Sequence, residues 1–184
     1  MRKMIAAGLM VLLSTGATFA AGLMIEVGGE AKGVVKIDLF EDVAPNHVQQ
    51  ITKLATDGAY DGVYFHRVID GFMAQTGDVE FARTGGNMQK AGMGGSQYAD
   101  LNQEFSDIPF ERGVVGMARS HDPNSANSQF FIMFGAAPGL NGDYTVVGKV
   151  TEGMDIVDQI KRGRGQNGSV IGEPDQMLKV TAVE

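Results

Sequence analysis

The sequence predicts a mainly β domain: eight short strands closed into a barrel, with two helices across its open ends. Three observations predict it. Apolar and polar residues alternate in short runs, the period of a strand with one buried face. The runs are separated by glycine-bearing turns, and 26 of the 184 residues are glycine. Only two segments carry apolar residues at helical spacing. That many strands in one domain leave exposed edges unless the sheet closes on itself.

The N-terminus is read separately. Met1-Arg2-Lys3 is a short basic start, residues 4–13 are apolar, and residues 14–20 are small. Thr18 and Ala20 supply the small residues that a cut after Ala20 requires, with Ala21 the alternative end point. This is the layout of a cleavable secretory signal peptide. The apolar run is short for a full membrane span. The expectation is a leader over residues 1–20, a single domain over residues 21–184, and a periplasmic or secreted mature protein with no stable membrane association.

Removing the leader takes Arg2 and Lys3 with it. The remaining 164 residues then hold 13 basic and 22 acidic side chains, a formal charge of −9. Such a chain is unsuited to binding nucleic acid, and its charge favours a soluble monomer. Cysteine is absent, which excludes disulfides and thiol chemistry.

Taken in order, residues 24–27 and the alternating residues 35–39 form a hairpin across Gly28-Gly29-Glu30. Residues 44–57 form the first helix: Pro45 suits its start, Val48, Ile51, Leu54 and Ala55 share one side, and Gly58 follows its end. Strands are expected at 63–68, 72–76, 114–118, 129–133, 144–150 and 178–183. Met154, Val157 and Ile160 mark a second helix within residues 152–161. Residues 80–111 have weak periodicity and many Gly, Asn and Gln residues, a long loop of the kind that often carries function.

The familiar reactive groupings are missing. His47, His66 and His121 do not fall at metal-ligand spacing, so no metal and no other cofactor is expected. His47 is read as a surface or helix-end residue, His121 as solvated, and the carboxylates as a solvated surface. Gly94-Gly95-Ser96-Gln97-Tyr98 departs from the G-x-S-x-G elbow of serine hydrolases. The glycine pairs lack the Lys-Ser/Thr of a phosphate loop. No carboxylate pair stands out as a glycoside-hydrolase acid and base.

What remains is apolar and amide residues around one arginine. The motifs FHRVIxGFMxQxGD, GxxxMA, SQFFI and LxGxYxVxGKV occur in this order between Phe65 and Val150. Together they resemble the cyclophilins, peptidyl-prolyl cis–trans isomerases, over residues 23–183. The form Met117-Ala118-Arg119 is similar to the bacterial branch. The resemblance implies an eight-stranded antiparallel β-barrel capped by two helices, acting on proline-containing polypeptides and assisting folding.

It also implies roles for named residues. Arg67 would stabilise the twisted X–Pro bond. Phe72, Met73, Phe131 and Leu140 would enclose the proline ring. Gln75 would steady Arg67, and Gln129 with the backbone of Ala118 and Arg119 would align the peptide. Tyr144 stands where many members have histidine, and Arg119 where many have asparagine. His66 faces away from Arg67 on an alternating strand and has only a supporting role. Taken singly, each of these residues also suits a core or surface position. A pure peptide-binding module is the competing class, and it has no need of Arg67. The absence of tryptophan, common at the position of Gly139, argues against tight cyclosporin binding.

Overall fold

The computed structural model describes residues 21–183. The expected leader, residues 1–20, lies outside them.

The described residues form nine strands and two α-helices: β1 Gly22–Gly28, β2 Gly33–Leu39, α1 Pro45–Thr56, β3 Val63–Tyr64, β4 Arg67–Ile69, β5 Met73–Thr76, β6 Val114–Met117, β7 Phe130–Met133, β8 Val146–Glu152, α2 Met154–Gln159 and β9 Gln176–Val183. Short 3₁₀ turns occur at Met88–Lys90 and Pro138–Leu140. All strands join one antiparallel sheet in the order β3-β9-β1-β2-β8-β6-β7-β5-β4. Helix α1 packs on β9 and β1, and α2 on β2. Among the described residues, no helix is long and apolar enough to cross a membrane.

The closed eight-stranded barrel needs correction. The stretch expected as one strand over residues 63–68 is two. β3 pairs with β9, and β4 pairs with β5, at the opposite end of the sheet. Between them, Phe65 N–H donates to the Asp175 carbonyl and Val170 N–H to the His66 carbonyl. The dipeptide thus changes partners where a continuous ladder was expected. The sheet curls into a half-barrel whose two edge strands are consecutive in the chain, with no ladder joining them.

Strand alternation sorts the apolar residues into two clusters on opposite faces of the sheet. On β7, Phe130 and Ile132 join the large interior core, while Phe131 and Met133 join a smaller one. On β5, Ala74 faces the first and Met73 the second. On β6, Val115 and Met117 face the first and Val114 the second. The smaller cluster, completed by Phe110 and Val146, is the floor on which the candidate site is built.

The long loop is held by polar side chains. Asp78, fully buried, accepts hydrogen bonds from the amides of Glu80, Phe81, Gly92 and Gly94. Asn127 Oδ1 accepts from Ser96 N–H at 2.7 Å, and its Nδ2 donates to the Tyr98 carbonyl. His47, read as surface or helix-end, is fully buried at the start of α1. Glu104 caps that helix from the loop, 57 residues away, accepting from the amides of Asn46 and His47 at 3.1 Å each and meeting His47 Nδ1 at 2.6 Å.

Candidate functional site

The site is one row running across four strands. Arg67 on β4 is paired with Gln75 on β5, Gln75 with Phe131 on β7, and Phe131 with Gly116 on β6. Residues directly opposite in an antiparallel ladder share a face. The register therefore places guanidinium, amide and phenyl ring side by side. Glycine closes the row because a Cβ at position 116 would stand 2.6 Å from ring atoms of both Phe110 and Phe131. With that space free, the two rings stack at 5.7 Å and 28°. Tyr144, just before β8, meets Phe131 edge-on at 5.9 Å and 80°.

These residues surround a cavity of about 150 Å³ lined by Arg67, Phe72, Met73, Gln75 and Phe131, with Ala118, Arg119, Leu140 and Tyr144 completing the wall. Met73 and Phe131 are buried, forming a fixed floor; Phe72, Leu140 and Tyr144 are half-buried at its sides. The size and apolar floor suit a small ring, with polar groups converging at one edge. A second cavity of about 630 Å³ adjoins it, walled by Gly92–Ser96 and Gln129 and sharing Gln75, Ala118 and Arg119 with the first.

Arg67 is anchored on two sides. Nη1 donates to Gln75 Oε1 at 3.0 Å, and Nε donates to the Asn167 carbonyl at 2.8 Å. Gln75 Nε2 in turn donates to Gln129 Oε1 at 2.9 Å. Gln129 Nε2 donates to the carbonyls of Gly92 and Gly94 at 3.0 and 2.8 Å. Every amide oxygen in this line accepts and every amide nitrogen donates, so one orientation satisfies the whole chain. Burial lowers the Arg67 pKa while Tyr144 raises it, with a net shift downward; a guanidinium starting so high stays charged.

All ten residues named for catalysis and binding are therefore brought together around the two cavities, Gln129 through the larger one. His66 lines neither. It lies behind the wall, its Nε2 3.3 Å from where a Cβ on Gly92 would be. Phe65 and Phe130 are core. Sequence reasoning missed two parts. Asp78 is fully buried and not part of a solvated carboxylate surface, and its place in the first motif is the sequence signal for it. The Asn167 carbonyl left no side-chain signal, because it acts through the backbone in the turn after Arg164. Among the described residues, no three His, Asp or Glu side chains gather as a metal site.

Comparison with known proteins agrees with this geometry. The family model described as cyclophilin type peptidyl-prolyl cis-trans isomerase/CLD matches residues 23–182. A probable peptidyl-prolyl cis-trans isomerase of Brucella suis is 59% identical over 155 residues, covering 81% of this chain and 77% of the relative. The human peptidyl-prolyl cis-trans isomerase-like 3 is 38% identical over 130 residues, covering 71% and 77%. Among solved structures, a cyclophilin from Hirschia baltica superposes with TM-score 0.70 at 27% identity, over 87% of this chain and 73% of that one. A cyclophilin-type isomerase from Cryptosporidium parvum gives 0.75 at 25%, over 90% and 99%. That protein was also solved in the presence of the dipeptide Ala-Pro, where the TM-score is 0.73.

Proposed function

This chain belongs to the cyclophilin-type peptidyl-prolyl cis–trans isomerases, and we propose that Arg67 performs the isomerisation in a groove whose smaller cavity takes the proline ring. Rotation about a peptide C–N bond is opposed by about 18–20 kcal/mol of lost resonance. As an X–Pro bond twists, its lone pair returns to the prolyl nitrogen. A donor aimed there binds the twisted state more tightly than either planar isomer, which is the condition for catalysis. No nucleophile and no proton relay is required.

The observation that carries this reading is the anchoring of Arg67. Gln75 and the Asn167 carbonyl hold the guanidinium beside an apolar floor built from Met73 and Phe131. Nη2 takes no part in either bond. A preorganised donor of this kind needs no rearrangement as charge develops. Phe72 and Leu140 flank the ring, and Gln129 with the backbone at Ala118 and Arg119 aligns the extended peptide. The Ala-Pro dipeptide used with the Cryptosporidium parvum relative supports a proline-containing occupant. We further propose that residues 1–20 are removed on export, that the mature protein is a periplasmic or secreted monomer assisting envelope-protein folding, and that nucleic acid is not a partner. Cyclosporin binds weakly on this reading, since Gly139 presents no ring.

A protease-coupled assay on a cis-proline peptide tests the catalytic assignment. Arg67→Ala should lower kcat/KM by roughly 100-fold or more, with the circular dichroism spectrum unchanged. Wild-type activity in that variant would remove Arg67 from the mechanism. N-terminal sequencing of the protein from fractionated cells tests the leader and the compartment.

A further inference from the structure

Arg119 stands where the two cavities meet and lines both. A guanidinium has five N–H donors, and four are engaged by backbone carbonyls. Nε and Nη2 donate to the Asp143 carbonyl at 3.2 and 2.9 Å, and Nη1 donates to the carbonyls of Ser120 and His121 at 3.0 and 3.3 Å. The group lies over the Tyr144 ring, 4.4 Å from its centroid. Carbonyls orient a cation without neutralising it. None of the ion pairs among the described residues includes Arg119.

Arg67 is in the same position, held by an amide and a carbonyl. No carboxylate lines the smaller cavity. The one carboxylate lining the larger is Asp100, whose Oδ1 accepts from Asn127 Nδ2 at 2.9 Å. A chain with a formal charge of −7 thus concentrates two unneutralised cations on one groove.

We infer that Arg119 is a specificity residue, selecting proline-containing peptides with an acidic side chain next to the proline. The inference rests on the assignment of the groove made above. The carboxylate belongs beside the proline because Arg119 also lines the smaller cavity, which has no carboxylate, whereas Asp100 in the wall of the larger cavity repels an acid there. Only one N–H of Arg119 remains free, so the attraction is between charges and not a bidentate clasp. Its size is that of a partly exposed ion pair, a roughly two- to fivefold preference, weakened by salt.

The test uses two pairs of peptides, differing by Glu or Gln immediately before the proline and immediately after it. Isomerisation is followed by NMR exchange, which needs no coupling protease. The wild type should prefer Glu in at least one pair at low salt, with the ratio falling towards one at high salt. Arg119→Gln should abolish the preference, and Arg119→Lys should keep part of it. A Glu/Gln ratio of one in both pairs for the active wild type overturns the inference. So does a ratio that ignores salt, or one that survives Arg119→Gln. An Arg67→Ala control as active as wild type would instead show the groove to be misassigned, and the inference would fall with it.

Discussion

Arg67 and Gln75 are ladder partners on β4 and β5, and their side chains repeat that pairing with a 3.0 Å bond from Nη1 to Oε1. The backbone register thus does most of the work of placing the guanidinium. The side-chain bond removes its remaining freedom. Gln75 passes the constraint on to Gln129, and Gln129 to the wall at Gly92 and Gly94.

Gln75→Ala should therefore lower kcat while leaving the fold intact. A hydrogen bond to a charged group is worth about 1.5–3 kcal/mol, and losing it fully in the transition state would slow the reaction roughly 10- to 100-fold. Gln75→Glu keeps an acceptor for Arg67 but cannot donate to Gln129. It should retain more activity than the alanine variant. Steady-state kinetics on one peptide separate the two; an alanine variant equal to wild type would mean that Arg67 needs no brace.

The second anchor makes a prediction at a distant glycine. Gly168 has φ +70°, and a Cβ there would overlap Ile69 Cγ1 and approach the Val68 carbonyl at 3.1 Å. Gly168→Ala should push the turn away and withdraw the Asn167 carbonyl from Arg67 Nε. Gly85, which lines neither cavity, has φ +80° but no neighbour within 4 Å, so Gly85→Ala meets backbone strain of roughly 1–2 kcal/mol alone. Both variants should lose some stability, while Gly168→Ala alone should also lose kcat. Equal kcat in the two, measured well below their melting temperatures, would show that the carbonyl does not position Arg67.

How much of this was legible beforehand depends on where each partner sits in the chain. The hairpin β1–β2 followed from alternation, because each face sees one environment. β7 reads Phe-Phe-Ile-Met, without alternation, because both of its faces are buried in different clusters. There the motif located the site and periodicity could not. The break between β3 and β4 was hidden, since only the change of partner from β9 to β5 creates it. Glu104 and Asn167 were hidden for the same reason: their roles are set by residues 57 and 100 positions away.

His66 gives a pH prediction. Burial pushes its imidazole below the ordinary value; the Asp78 carboxylate, the Tyr64 backbone and the Gln129 amide pull upward without overcoming it, and Arg67 adds to the depression. The folded state thus favours neutral His66, whereas the unfolded chain takes up a proton below about pH 6.5. Stability is then unaffected above that pH and falls as pH drops below it. Urea midpoints measured from pH 7.5 to 5.5 should decline in the wild type. His66→Gln should flatten the curve. An unchanged slope would mean that other groups govern it.

Glu104 should produce a separate loss of stability at lower pH. Burial pushes its carboxyl upward, but the hydrogen bonds from His47 and Asn46 outweigh that and hold it below the ordinary carboxylate range. A depressed folded-state pKa gives stability that is present above the unfolded value of about 4.3 and lost as pH falls through the folded value. Glu104 caps α1, whose own N-cap residue, Ala44, has no side chain to do so. Glu104→Ala should lower stability at pH 7 by about 1–2 kcal/mol, the size of a lost cap. The gap between variant and wild type should narrow as the pH falls through the folded-state value, where the wild-type carboxyl is itself protonated. A gap that stays constant from pH 7 to pH 3 would show that Glu104 acts by packing and not by charge. Because the same loop walls the larger cavity, weakening this latch should also raise KM for peptides while leaving kcat near its wild-type value.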